Sequence, residues 1–206
     1  STLEGALIEP LAVGFHAAKQ GGAQAGQTAV VFGAGCIGLV TMMALKACGV
    51  SRVYVVDIME KRLEKALELG ADGVINGREV DVLKKAQELT GGEGFDLAVE
   101  TAGTEITTNQ AIQTVRKGAN IVLVGYGKSG MVNMMVSLAL DKEVTFKTVF
   151  RYRHIYPMAI EAVEQGKVNL KGIATHIFDF DDIQTAMDRS VNEKAEIVKA
   201  VVKIAK

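Results

Sequence analysis

Three closely spaced glycines and one aspartate carry the clearest chemical signal in this sequence. Gly33, Gly35 and Gly38 follow the apolar run Thr28–Phe32, and Asp57 ends the next apolar run, 19 residues after Gly38. In this pattern the first glycine permits a tight turn, the second lets the backbone approach a pyrophosphate, and the third lets a helix pack against the strand. The N-terminus of that helix offers free N–H groups to phosphate oxygens. These residues therefore predict a dinucleotide-binding site.

Asp57 indicates which dinucleotide is bound. A carboxylate at this place accepts hydrogen bonds from the adenosine ribose hydroxyls, whereas a 2′-phosphate would meet a like charge, so we expect NAD rather than NADP. The alternatives are a plain strand–helix turn and a solvated acid, and the combined spacing disfavours both. Arg62 either reaches over the adenine or ribose, where it could also help hold a 2′-phosphate, or is a surface residue. Cys36, inside the loop, is expected to fill space rather than to react.

Further candidates follow the later apolar runs. The segments Glu100–Gly103 and Val124–Gly127 are small or rich in glycine, as a flat nicotinamide and its ribose require, whereas Phe150-Arg151-Tyr152 is bulky and basic. Arg151 can orient a hydroxyl, a zinc-bound water or a carboxylate through charge-assisted hydrogen bonds, or it can be part of a surface pair. Glu9, fixed by the proline that follows it, is either a metal-site or proton-handling group or an ordinary turn acid.

The elements that must position these residues alternate between strand and helix. The strands are almost wholly apolar, which is typical of a parallel sheet covered by helices on both faces. Six such units predict a doubly wound α/β sheet of the Rossmann type with strand order 3-2-1-4-5-6. The predicted strands are Thr28–Phe32, Arg52–Val56, Gly73–Ile75, Phe95–Val99, Asn120–Val124 and Val144–Val149, and the predicted helices are Gly38–Ala47, Glu60–Leu69, Val80–Leu89, Glu105–Val115 and Met134–Leu140.

The two ends of the chain differ from this alternation. Residues 1–22 are predicted to be an extended incoming segment and then a helix that starts after Pro10, since proline is favoured in the first helical turn. Residues 23–152 form the nucleotide-binding domain. Residues 153–206 are predicted to form a helix, a strand, a helix and a strand that return towards a neighbouring catalytic domain.

Composition and motifs exclude several functions. A net charge of −1 gives no general attraction to nucleic acid or anionic lipid, and we find no basic, aromatic-interleaved stripe. The two cysteines are not spaced as a disulfide framework or zinc set, and the three histidines are expected to be packing residues. No leader segment or membrane-length apolar run is visible, so we expect a soluble, cytoplasmic protein without nucleic-acid or membrane partners.

Taken together, these segments resemble the zinc-dependent medium-chain dehydrogenases, and within them the sorbitol (L-iditol) and xylitol dehydrogenases. The resemblance covers essentially the whole chain and rests on the stretch from Gly5 to Gly14, the glycine loop, Asp57, the segment from Gly94 to Gly103 and the Phe150–Tyr152 triplet. The first and the last of these are specific to the family, whereas the glycine loop alone is not. It implies that Ile37, Asp57 and Arg62 bind the adenosine side of NAD. It also implies a nicotinamide half lined by Val124, Gly125, Tyr126, Val149, Phe150 and Arg151.

For the reaction, the resemblance implies zinc-assisted, NAD-dependent oxidation of a polyol secondary alcohol to a ketose. Glu9 would then lie beside the zinc, as a ligand or bonded to its water, while Arg151 and Tyr152 contact the polyol. The family's main zinc ligands, a Cys and a His-Glu pair, belong to an N-terminal domain that this sequence does not contain. We therefore expect this chain alone to bind NAD without turnover.

Two rival functions stay open. One is a different zinc dehydrogenase, acting on 2,3-butanediol, threonine or a simple alcohol; the Phe150–Tyr152 triplet favours polyols over these. The other is a non-catalytic nucleotide-sensing domain, which would have no reason for the Glu9-Pro10 pair or for the C-terminal segment. We also expect a homo-oligomer, a dimer or tetramer, that pairs through the sixth strand at the sheet edge.

Overall fold

A six-stranded parallel sheet forms the centre of the molecule in a computed structural model that describes residues 1–127 and 130–204. The strand order is β3-β2-β1-β4-β5-β6, so the predicted doubly wound fold is confirmed. The strands are β1 Thr28–Phe32, β2 Arg52–Asp57, β3 Gly73–Asn76, β4 Phe95–Glu100, β5 Val115–Leu123 and β6 Thr145–Thr148. Their carboxyl ends share one edge of the molecule, where open α/β sheets bind ligands.

Helices cover both faces of this sheet. The helices of the described chain are α1 Thr2–Gly21, α2 Cys36–Ala47, α3 Glu60–Glu68, α4 Val82–Thr90, α5 Glu105–Thr114, α6 Val136–Asp141, α7 Tyr156–Glu164 and α8 Ile183–Asn192, of which α8 packs on the C-terminal segment rather than on this sheet. Alternate residues of β1 enter two separate cores: Val31 packs with residues of α1, α2 and α7, whereas Phe32 packs with residues near α4 and α5. This double burial explains why the strands are apolar without alternation. Among the described residues, no helix combines the length and the apolar character needed to cross a membrane.

The first helix corrects one prediction. Residues 1–22 are not an extended segment followed by a helix after Pro10, because α1 is continuous and contains Pro10 in its interior. Ser1 starts it with a capping box, in which its side chain accepts from the Glu4 N–H. An interior proline costs about 3 kcal/mol, but α1 buries its apolar side chains against α2, with Gly14 in contact with the backbone of Val40. That burial outweighs the cost of the proline.

The fifth strand starts earlier than the sequence predicts. It begins at Val115, where the preceding helix was expected to end, and its pairing with β4 shifts register between Phe95 and Leu97. A glycine with φ of +90° at position 94, against the backbone of Val115, permits this early pairing.

The C-terminal segment has the predicted helix, strand, helix and strand. After α7, strand β7 His176–Asp179 pairs in parallel with β8 Ala200–Lys203, and α8 connects them. A short 3-10 turn, Leu170–Ile173, carries the chain from α7 towards β7, and a second one, Phe180–Asp182, leads into α8.

Candidate functional site

The glycine loop lies where β1 ends and α2 begins. Gly33 has φ of +100° and donates its N–H to the Val56 carbonyl at 2.7 Å. Gly35 is the N-cap of α2 and has no side chain, so the first N–H groups of α2 donate to no capping side chain. A Cβ at Gly38 would lie 1.8 Å from the Gly33 carbonyl oxygen. Gly33 and Gly38 therefore have the geometric roles predicted from the sequence, a tight turn and close helix–strand packing, whereas the role of Gly35 beside a pyrophosphate stays a prediction. Ile37 is partly buried and packs on the core.

Asp57 joins this loop to the end of β2. One carboxylate oxygen accepts the Ala34 N–H at 2.6 Å, and the other accepts those of Ile58 at 2.7 Å and Met59 at 3.0 Å. The carboxylate is partly exposed and each oxygen has further acceptor capacity, so it can also receive ribose hydroxyls. The solvated-acid alternative is disfavoured by this geometry, because the side chain is fixed by three backbone donors.

Arg62 lies between the loop and the C-terminal segment. Its Nη1 is 3.8 Å from the point that a Cβ at Gly35 would occupy, and its Nε donates to the Lys194 carbonyl at 3.0 Å. Lys61 forms an ion pair with Glu196 in the same segment. Arg62 is therefore neither free nor a plain surface residue: it attaches residues near 194 to the start of α3, beside the glycine loop.

A second backbone junction lies at the ends of β4 and β5. Gly103 has φ of +68°, and a Cβ there would lie 2.4 Å from the Tyr126 carbonyl oxygen. Gly125 approaches Gly103 so closely that a Cβ would lie 2.2 Å from the Gly103 nitrogen. Buried Glu100 accepts the N–H groups of Ala102 and Gly103, both at 2.8 Å. The sequence indicated only the small size of this segment and gave Glu100 no role, although a charged residue directly after an apolar strand was the available signal.

The aromatic and basic residues after β5 and β6 lie close to one another. Tyr126 and Phe150, both largely exposed, meet edge to face with ring centroids 6.2 Å apart. The Arg151 guanidinium lies 5.2 Å from the centroid of the Phe150 ring. Of their neighbours in the chain, Val124 is half-buried and Val149 is buried. The structure thus brings together the six residues expected to line one half of the crevice.

Tyr152 has a partner that was not predicted from the sequence. The Tyr156 hydroxyl donates to the Tyr152 hydroxyl at 3.1 Å, and the rings are 5.0 Å apart. This hydrogen bond, with smaller contributions from burial and from the charges of Tyr152 and Glu9, raises the pKa of Tyr156 to about 12. Tyr156 begins α7, whereas Tyr152 precedes that helix; the chain turns between them at His154, which has φ of +57°.

Glu9 lies on α1 and is exposed. Its charge makes the smallest of the contributions that raise the pKa values of Tyr156 and of Cys36. Burial is the larger cause for the Cys36 thiol, and this agrees with a space-filling role. Across residues 1–127 and 130–204, no three His, Cys, Asp or Glu side chains are arranged to hold a metal ion. Glu9 is therefore at most one ligand of a metal site.

Two surface grooves lie away from the glycine loop. One of about 490 Å³ runs between α4 and α5 and is lined by residues that include Asp81, Asn109 and Gln113. The other, of about 460 Å³, runs between α1 and α7 and includes Ile8 and Tyr156. Neither is lined by the glycine loop or Asp57.

Comparison with known proteins gives a consistent family. Residues 36–165 match the family described as zinc-binding dehydrogenase. An uncharacterised zinc-type alcohol dehydrogenase-like protein of Escherichia coli, YdjJ, is 45% identical over 206 residues, covering 99% of this chain and 58% of that protein. A sorbitol dehydrogenase of Bacillus subtilis is 36% identical over 199 residues, covering 97% of this chain and 56% of that protein.

A solved structure extends the likeness to the fold. The 2R,3R-butanediol dehydrogenase of Bacillus subtilis superimposes with a TM-score of 0.92 at 31% sequence identity, covering 100% of this chain and 58% of that one. The chain therefore spans somewhat more than half the length of the relatives it matches.

Proposed function

This chain belongs to the zinc-binding dehydrogenase family, and from that premise we propose that it is the NAD-binding half of an enzyme that oxidises a secondary alcohol of a polyol to a ketose. The observation that carries the proposal is the fixed pairing of the glycine loop with Asp57, through the hydrogen bond from the Ala34 N–H at 2.6 Å. This pairing holds the N–H groups that can donate to phosphate oxygens and the carboxylate that can accept from ribose hydroxyls in one preformed unit.

The adenosine half of NAD is bound at this unit. The pyrophosphate lies on the N-terminus of α2, where the free N–H groups and the helix dipole favour negative charge. The ribose hydroxyls donate to Asp57, and the negative charge of that carboxylate disfavours the additional phosphate of NADP. Arg62 lies beside the loop, and its hydrogen bond to Lys194 holds the C-terminal segment over the adenosine side.

The nicotinamide half lies against the second junction, at Val124, Gly125 and Tyr126, with Val149 and Phe150 beside it. NAD supplies the hydride acceptor. Arg151 follows the same strand end and offers several fixed donors, with which it orients a substrate hydroxyl. Tyr152 contacts the polyol, and its hydrogen bond from Tyr156 fixes the direction of its hydroxyl. These contacts hold the alcohol carbon against the nicotinamide, which is the main contribution a protein makes to hydride transfer.

Residues 1–127 and 130–204 do not form a zinc site by themselves, since no three potential ligands among them converge. Within the described residues, Glu9 is the one member of the expected zinc environment, and we propose that the remaining ligands come from other residues. The contribution of these residues is therefore to bind NAD and to orient the substrate.

The proposal of a polyol as substrate has one rival that an observation favours. The similarity to sorbitol dehydrogenase and the Phe150–Tyr152 triplet support a polyol. The structural likeness to a butanediol dehydrogenase supports a smaller diol. In this proposal both reactions are NAD-linked oxidations of a secondary alcohol. They differ in substrate length, because the longer polyol makes more contacts with Arg151 and Tyr152 than the smaller diol does.

A substrate panel distinguishes them. The complete protein is assayed with NAD and, in turn, with sorbitol, xylitol, 2,3-butanediol, threonine and a simple alcohol. We expect the highest kcat/KM for a polyol, and Tyr152→Phe should lower it for polyols more than for butanediol. A higher kcat/KM for butanediol than for either polyol would replace the first assignment with the second.

A further inference from the structure

Glu100 is the one charged side chain that is fully buried in the described part of the chain, with 1% of its surface exposed. One of its carboxylate oxygens, Oε1, accepts three hydrogen bonds, from the N–H groups of Ala102 and Gly103 and from the Thr107 hydroxyl, each at 2.8 Å. Burying a carboxylate is costly unless its hydrogen bonds compensate. A neutral residue could hold a tight turn at lower cost, so a charged residue at this buried place points to a further role.

The position of Glu100 supplies that reason. Its backbone carbonyl accepts the N–H groups of Val124 and Gly125, at 2.8 and 3.0 Å. Its second carboxylate oxygen, Oε2, lies only 2.6 Å from the point that a Cβ at Gly125 would occupy. Glu100 therefore fixes Gly103 through its side chain and Gly125 through its main chain. These two glycines are the ones that touch each other at the ends of β4 and β5.

We propose that Glu100 is a positioning residue for the nicotinamide half of the cofactor, acting through the Gly103–Gly125 junction. This inference rests on the proposed function, in which Val124, Gly125 and Tyr126 line that half. The adenosine half lies at a different junction, the one between the glycine loop and Asp57. Loss of the Glu100 charge should therefore weaken recognition of the nicotinamide end and leave recognition of the adenosine end nearly unchanged.

Glu100→Gln tests this with little change of shape. The amide can keep all three acceptor bonds only by turning its NH₂ group towards Gly125, where the backbone is already in close contact, and a neutral acceptor also makes weaker hydrogen bonds than a carboxylate. Binding is measured by titration calorimetry on the complete protein, with NAD and with ADP-ribose, which lacks the nicotinamide. We expect about a tenfold loss of NAD affinity and less than about a twofold loss for ADP-ribose.

Asp96→Asn is the matched control, because Asp96 lies at the other end of β4. It also accepts a backbone N–H, from Thr28 at 2.7 Å, and pairs with Arg116. Its replacement should lower stability without changing the ratio of the NAD and ADP-ribose affinities. If Glu100→Gln does not yield folded protein, Thr107→Val removes one of the three donors and should change the ratio in the same direction by a smaller factor.

The outcomes separate this inference from the proposed function. The positioning role would be overturned if Glu100→Gln lost affinity equally for NAD and ADP-ribose. Where Thr107→Val is used instead, an unchanged ratio of the two affinities in the folded protein would overturn it. Failure of the unaltered protein to bind either ligand would instead overturn the proposed function, and this inference with it. If the ratio of the NAD and ADP-ribose affinities changes as much in Asp96→Asn as in Glu100→Gln, the change reflects a general loss of stability in β4, and the positioning role is overturned.

Discussion

Replacement of Asp57 by alanine should weaken NAD binding and lower the ratio of NAD affinity to NADP affinity. The ribose loses a hydrogen bond to a charged group, which contributes about 1.5–3 kcal/mol, or roughly a tenfold to hundredfold weaker affinity. The N–H groups of Ala34, Ile58 and Met59 lose their acceptor as well. NADP should lose less affinity, because alanine also removes the charge that opposes its additional phosphate.

The assay is calorimetric titration of the unaltered and the altered protein with NAD and NADP, together with the free energy of unfolding in urea. Asp72→Ala provides the control. Asp72 accepts the Val53 N–H at 2.7 Å at the opposite end of β2 and pairs with Lys46. Its removal should therefore lower the free energy of unfolding and leave both cofactor affinities unchanged.

Two results would refute the reasoning. Unaltered protein that binds NADP as tightly as NAD would show that the Asp57 carboxylate does not occupy the ribose position. If Asp57→Ala lost NAD and NADP affinity equally, and Asp72→Ala lost both affinities by the same factor, the experiment would have measured only the stability of β2.

The site and the sheet support four further predictions. The 206-residue chain alone should bind NAD but not oxidise polyols when zinc is added, because its described residues contain no three-ligand group; robust turnover would contradict this. The chain should self-associate through the edge strand β6. Because Val149 donates its N–H to the Leu123 carbonyl, the N–H of the preceding residue, Thr148, points to the open edge of the sheet. Thr148→Pro removes that donor and should abolish the association measured by light scattering, whereas Thr148→Ala should not. In the complete enzyme, Arg151→Ala should lower kcat and kcat/KM by on the order of 100-fold while NAD affinity is retained; near-normal kinetics would make Arg151 a surface residue. Burial raises the pKa of Asp96, but hydrogen bonds from Thr28 and Arg116 outweigh it and hold the pKa below its usual value. The ionised Asp96 therefore stabilises the folded protein above about pH 4, and this contribution is lost as the pH falls further. The free energies of unfolding of Asp96→Asn and of the unaltered protein, measured in urea, should therefore approach each other in acid.

Much of the fold could be predicted because the strands are buried on both faces. β1 was located to the residue, and the strand order followed from the glycine loop and the number of alternating units. The errors occurred where tertiary contacts override local preference. Pro10 indicated a helix start, but burial of α1 against α2 keeps that helix continuous. The start of β5 depends on contact with the distant Gly94, which local sequence does not reveal.

The candidate site divides in the same way. The turn geometry of the glycine loop could be predicted because it depends on spacing along one chain segment, whereas the ribose contact of Asp57 stays a prediction. Glu100 could not be assigned a role, because its partners come from two strand ends and its importance comes from burial. The Tyr152–Tyr156 hydrogen bond depends on the left-handed turn at His154, just before α7, which the sequence does not reveal. Arg62 was left between two roles, and its bond to Lys194 depends on where the C-terminal segment packs.

A crystal structure of the complete protein with NAD tests the central claim most directly. We predict pyrophosphate density on the N-terminus of α2 at Gly35, a ribose hydroxyl within hydrogen-bond distance of Asp57, and the nicotinamide against Gly125. Density for the dinucleotide at another place, such as the groove between α4 and α5, or none at saturating NAD, would contradict that claim.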